Sequence, residues 1–162
     1  MLNKSQKKND FNLKKAPGEQ KQTGTGQEIL GFLKPFVLVL SNQAYHEKNR
    51  MRLLYNLTER VVKMFTKHYG KFVVTAEGAI LLSGDINRYN ELFLQVESEE
   101  IIRQYESFKM LVNIYLINAE LLDGYIKENL LHSTDKATIC NYLQHRGDFK
   151  QAKLEELINS LF

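Results

Sequence analysis

Residues 74–93 read VTAEGAILLSGDINRYNELF, and the spacing of their apolar side chains decides the fold. Ala79, Leu82, Ile86, Tyr89 and Phe93, with Val96 just beyond, recur in steps of three and four. A half-buried strand would alternate apolar and polar residues at every second position. This spacing instead lays a stripe along one side of an α-helix, the seam that helices packed side by side share. Thr75 offers a hydroxyl to the free amides of the first turn, and Glu77 suits the positive helix end. Ser83-Gly84-Asp85 are turn-forming types. The apolar phase continues across Gly84, so the spacing predicts one unbroken helix.

The same periodicity extends in both directions. Upstream, Ile29, Leu30, Leu33, Phe36, Val37 and Leu40 share a face of a helix over about residues 27–43. Pro35 either kinks it or opens the main helix after a short first turn. The wholly apolar run 36–40 predicts central burial. A second helix, about residues 45–69, carries Met51, Leu54, Leu57, Val61, Met64, Phe65 and His68, and Gly70 stops it. Downstream, a helix begins after Ser98 with Ile101, Tyr105, Phe108, Val112 and Tyr115, ending near Asn118. A short helix over residues 119–129 turns Leu122, Ile126 and Leu130 inward. Another, over 134–146, carries Ile139, Tyr142 and Leu143 and ends at Gly147. Asp148 is then expected to cap a final amphipathic helix containing Phe149, Ala152, Leu157, Ile158 and Leu161. Short links between such helices make antiparallel neighbours. The fold class is therefore all-α, an antiparallel helical bundle spanning residues 27–162.

Residues 1–26 differ in composition. Lys, Gln, Asn, Gly and Thr fill them, and Phe11 and Leu13 are the large apolar side chains after Met1-Leu2. The segment reads as a flexible basic loop or tail, with Thr23-Gly24-Thr25-Gly26 as its hinge. It also carries the charge. The chain's net +3 arises in residues 1–28, which hold six lysines against three acids, while the remainder is neutral. A basic folded face for nucleic acid is not indicated. Lys4, Lys7, Lys8, Lys14, Lys15 and Lys21 would give anionic membranes only weak, salt-sensitive contact. Cys140 is the only cysteine, which excludes an internal disulfide and fits a reducing cytosol. The longest wholly apolar run is far short of a membrane span.

No constellation for catalysis emerges. His46, His68, His132 and His145 form no HExxH pattern, and no strand-to-helix nucleophile elbow is present. Cys140, His145 and Asp148 are near one another in sequence, but a half-buried helix end explains them better than a metal. Residues 23–26 match a phosphate loop only in glycine content. The aromatic stripe of Tyr89, Phe93, Tyr105, Phe108 and Tyr115 is spaced for helix packing, not for a cofactor or stacked bases. No enzyme and no cofactor is expected.

Certain motifs resemble one family. Gly78, Leu82, Asp85 and Tyr89 stand where the Sec-ten type of exocyst subunit (exocyst component five) has a Gly–Leu–Asp–Tyr signature. Lys7-Lys8-Asn9-Asp10-Phe11 is similar to its lysine-rich loop ending in Asp-Phe. Residues 118–122 resemble the loop that opens its next short helix, without that loop's proline. Asp135-Lys136, Tyr142, Leu143, Arg146, Asp148-Phe149 and Ala152 match its terminal signature. The resemblance implies the C-terminal part of a helical-rod tethering subunit, longer than this chain. It would act in the cytoplasm, peripherally at sites of secretion, holding secretory vesicles at the plasma membrane before fusion. Its partners would be other exocyst subunits and small GTPases, with indirect or weak membrane association through the Lys-rich tail. Arg146 and Asp148 are the candidate partner contacts, beside the alternative that Asp148 caps a helix and Arg146 pairs with a helix end. The rod's neighbouring bundle is absent from this chain, so apolar surface on the first or second helix is expected to be exposed. An alternative with the same domain is the Sec-ten-like region of F-box proteins in endocytic recycling.

Overall fold

A computed structural model describes residues 5–15, 18, 23–42, 46–94 and 98–162. Among the described residues seven α-helices follow one another: α1 (Gly24–Asn42), α2 (Glu47–Tyr69), α3 (Ala76–Leu94), α4 (Glu99–Asn113), α5 (Leu122–Asn129), α6 (Lys136–Gln144) and α7 (Leu154–Leu161). One 3₁₀ turn, Ala119–Leu121, leads into α5. Helix α1 packs on α2 and α3, α4 lies against both α2 and α3, and α6 joins α4 to α7. Among the described residues the sole β-type pairing is an isolated parallel bridge between Val74 and Arg146.

Helix α3 runs unbroken through Gly84, and its stripe of Ala79, Leu82, Ile86, Tyr89 and Phe93 is buried. Val96 lies outside the described residues. Phe65 of α2 stacks on Tyr89, with ring centroids 4.8 Å apart, and Phe93 meets Tyr105 of α4 at 5.4 Å. The Tyr105 hydroxyl donates to the Ile86 carbonyl at 2.9 Å, so this buried ring keeps a partner for its polar end. The C-terminal end of α2 is closed by α6: Asn141 donates to the Gly70 carbonyl at 2.7 Å and Tyr142 to that of Thr66 at 3.0 Å. The Gly70 carbonyl lies past the helix end, where no further turn supplies a donor, and the Thr66 carbonyl also takes the Gly70 amide at 3.1 Å.

Four expectations need correction. Helix α1 begins at Gly24, well before Pro35, so the proline lies inside the helix and does not open it. The apolar run after it is only partly buried: Val37 is enclosed, whereas Phe36 is 52% exposed and Val39 50%. Five consecutive apolar residues cover every side of a helix, and among the described residues one side of α1 has no neighbour. The final helix starts at Leu154, after residues 148–153 form turns, with Lys153 at φ 52°. Asp148 is thus not its cap. Phe11 is completely buried rather than part of a loose loop, with edge-on ring contacts to Tyr69 and Phe72.

Candidate partner-binding surface

The Gly–Leu–Asp–Tyr positions fall on the side of α3 that grips the N-terminal segment and α2. Thr75 caps α3 by accepting the Gly78 amide at 3.1 Å. Its own amide donates to the Phe11 carbonyl at 3.0 Å, and its hydroxyl to the Leu13 carbonyl at 2.9 Å. A β-carbon on Gly78 would stand 1.7 Å from the Phe11 carbonyl oxygen, so only glycine admits this approach. One turn on, Leu82 is fully buried. The next signature residue, Asp85, is also fully buried, and its carboxylate accepts from both the amide and the hydroxyl of Thr23. Thr23 in turn accepts the Gly26 amide at 2.9 Å, opening α1. Burial pushes the Asp85 carboxyl up to about 6, the Thr23 hydrogen bonds pulling against it. The Tyr89 hydroxyl lies 3.4 Å from that of Tyr69. Each position has a packing role.

Arg146 and Asp148, the two candidate contacts, are brought together. Arg146 donates through Nε to Asp148 Oδ1 at 2.8 Å and through Nη2 to Oδ2 at 2.6 Å. Its Nη1 donates to the carbonyls of Ile114 and Ile117, just past the C-terminal end of α4. A cation there meets the negative end of the helix. The Arg146 side chain is 7% exposed and that of Asp148 41%. The guanidinium hydrogen bond holds the Asp148 carboxyl below the usual range. The backbone beside the pair is tied to α3: the Val74 amide donates to His145 O at 2.9 Å and Gly147 to Val74 O at 2.8 Å. Arg146 faces its own chain, and Asp148 keeps one outer edge.

The residues near a possible metal set do not converge on one point. His145 Nδ1 donates to the Asn141 carbonyl at 2.8 Å, Cys140 is half-buried, and Asp148 is held by Arg146. Among the described residues no group of three His, Cys, Asp or Glu side chains is placed to hold a metal. No helix there is long and apolar enough to cross a membrane. What the surface does offer is apolar side chains. Phe32 and Phe36 stand one turn apart on α1, with ring centroids 5.2 Å apart, and Val39 continues their row. Leu53 and Met64 are exposed on α2. Exposed apolar surface on these two helices agrees with the expectation above, but periodicity alone placed Phe36 and Met64 inward, because an exposed apolar face and a buried one have the same spacing.

A family model described as "Exocyst complex component Sec10-like, alpha-helical bundle" matches residues 1–157. The chain belongs to this Sec10-like exocyst family. Exocyst complex component 5 of Oryza sativa subsp. japonica is 24% identical over 163 residues, covering 99% of this chain and 20% of the relative. Exocyst complex component SEC10 of Saccharomyces cerevisiae is 26% identical over 156 residues, covering 96% of this chain and 18% of the relative. The Caenorhabditis elegans exocyst complex component 5 is 24% identical over 106 residues, covering 65% and 16%. The chain thus spans about a fifth of the length of these relatives. In this Sec10-like chain the signature on α3 closes the bundle over its N-terminal segment, and the terminal signature fastens α6 to α3 and α4. Both sets of residues find packing and hydrogen-bond partners within the chain.

Proposed function

We propose that this chain is a binding module of an exocyst-type vesicle-tethering subunit. It contributes protein–protein contacts to an assembly that docks secretory vesicles at the plasma membrane, and it carries out no reaction. The observation that carries this reading is the family match over residues 1–157. The inward use of the signature residues supports it: Asp85 and Arg146, both buried, hold backbone and neighbouring side chains. A packing scaffold that presents helix surfaces is what a tether requires.

The partners in this reading are other exocyst subunits, with small GTPases as further ones, at the cytoplasmic side of secretion sites. Asp148, with its outer edge available beside Arg146, is one point of contact. Lys7, Lys8, Lys14 and Lys15 are exposed around the anchored Phe11 and give weak additional attraction to anionic membrane. Lys4 and Lys21 lie outside the described residues.

The test is affinity purification of the full-length parent protein from cells, with mass spectrometry of what accompanies it. Recovery of exocyst subunits is expected. Recovery of ubiquitin-ligase components in their place would overturn the tethering role in favour of an F-box recycling protein.

A further inference from the structure

A groove of about 630 Å³ separates the C-terminal half of α2 from the start of α6. Lys63 and Lys67 stand one turn apart on its α2 wall, about 6 Å along the axis, and Lys71 continues the row just past the helix. All three are exposed. Its floor is lined by Val62, Ala137 and the Tyr142 ring, whose hydroxyl is already used on the Thr66 carbonyl.

The charge on this groove is one-sided. Lys63 pairs with Glu59 at 2.8 Å, but among the described residues no acid lies within ion-pair distance of Lys67 or Lys71. The one carboxylate in the lining, Asp135, is turned to its own helix: it accepts the Thr138 amide at 2.9 Å and hydroxyl at 2.7 Å. The Lys71 charge is felt inside the protein too, where it adds to burial in lowering the His68 imidazole to about 4. A row of cations at helical spacing beside an apolar floor complements a helix with acids one turn apart and a small apolar edge.

We propose that the α2–α6 groove docks an acidic helical segment of a partner protein, with Lys67 and Lys71 as the selecting charges. The inference rests on the reading above that this chain works by binding proteins, and it assigns that binding a place. A membrane suits the groove less well. A flat bilayer cannot enter the groove between the two helices to use its apolar lining.

The test titrates the isotope-labelled full chain with a blocked helical peptide carrying glutamates one turn apart, followed by backbone amide NMR shifts. Shifts confined to the two groove walls are expected. Lys67→Glu/Lys71→Glu should weaken the peptide at least tenfold, raised salt should do the same, and the control Lys153→Glu should change nothing. Shifts that map elsewhere, or binding indifferent to the double reversal, would overturn the proposal. So would anionic phosphatidylserine vesicles that occupy the same lysines and displace the peptide, which would make this a lipid site. In the parent protein, loss of all exocyst subunits from the purification with peptide binding intact would defeat the tethering role alone. Retention of every subunit by the double reversal would instead defeat the groove as their docking site.

Discussion

The Asp85 carboxylate holds Thr23 twice, accepting its amide at 2.8 Å and its hydroxyl at 2.7 Å. This joins the first turn of α1 to the middle of α3 at a point fully withdrawn from solvent. The hydroxyl bond to a charged acceptor is worth about 1.5–3 kcal/mol. Thr23→Ala should lower stability by about that amount and expose the first turn of α1 to amide exchange. Hydrogen exchange protection of residues 24–27, compared between the two proteins, checks this.

Stability should also fall as pH rises between about 4 and 6. Asp85 binds its proton at about 6 in the fold, against 3.8 for the free side chain. The folded state therefore carries the extra proton in this window. The stability it confers is complete below the lower value and lost as pH climbs through the upper one, a swing of about 3 kcal/mol. Asp85→Asn should flatten this slope. Asp148 acts in the opposite sense, since Arg146 lowers its carboxyl: its contribution is present at neutral pH and lost under stronger acid. Urea midpoints measured across the acid range, in wild type, Asp85→Asn and Asp148→Asn, separate the two limbs.

Glycine substitutions should divide by location. In an open helix, Gly→Ala gains about 1 kcal/mol. Gly31 and Gly124 have nothing within 4 Å of a new β-carbon and should show that gain. Gly78→Ala should instead lose about 1–3 kcal/mol, because the intruding carbon meets the Phe11 backbone, which cannot swing aside as a side chain can. Thermal unfolding of the three variants checks both signs.

Arg146→Lys should destabilise by about 2–3 kcal/mol, because one ammonium cannot replace a fork that serves Asp148 and two carbonyls together. Arg146→Met should cost at least as much, since it leaves the Ile114 and Ile117 carbonyls without this donor. Chemical unfolding measures both. A partner contact through the arginine alone would instead leave stability near wild type.

Phe11→Ala should cost about 3–5 kcal/mol, the usual loss for an enclosed aromatic. Limited proteolysis should then cut within residues 5–15, which the wild-type chain protects through the Thr75 contacts.

Local order was legible where it repeats. The α3 stripe and the inward trios Leu122, Ile126, Leu130 and Ile139, Tyr142, Leu143 are buried as their spacing predicts. What spacing cannot convey is the identity of a distant partner. Phe11 sits among lysines, so no local pattern marks it as core; its place depends on Gly78, far along the chain. Thr23 did carry a signal. A threonine before a helix is a common cap, but the glycines after it suggested a hinge. Pairing of Arg146 with a helix end stands among the sequence alternatives, but only the fold shows which carbonyls it meets, those of Ile114 and Ile117 just past α4. The position of Phe36 shows the converse limit: hydrophobicity declares that a face needs cover, not whether this chain supplies it.

The bridge between Val74 and Arg146 has a mechanical side. Helix α7 and the turns before it connect to the bundle through residues 145–147, which are bonded to residue 74 along the backbone and to residues 114 and 117 through one guanidinium. A pull on the end of the chain is therefore not borne by α6 alone. Once α7 has come away from α6, the load divides at Arg146 between the start of α3 and the end of α4, and the rest of the bundle opens only when that knot is undone.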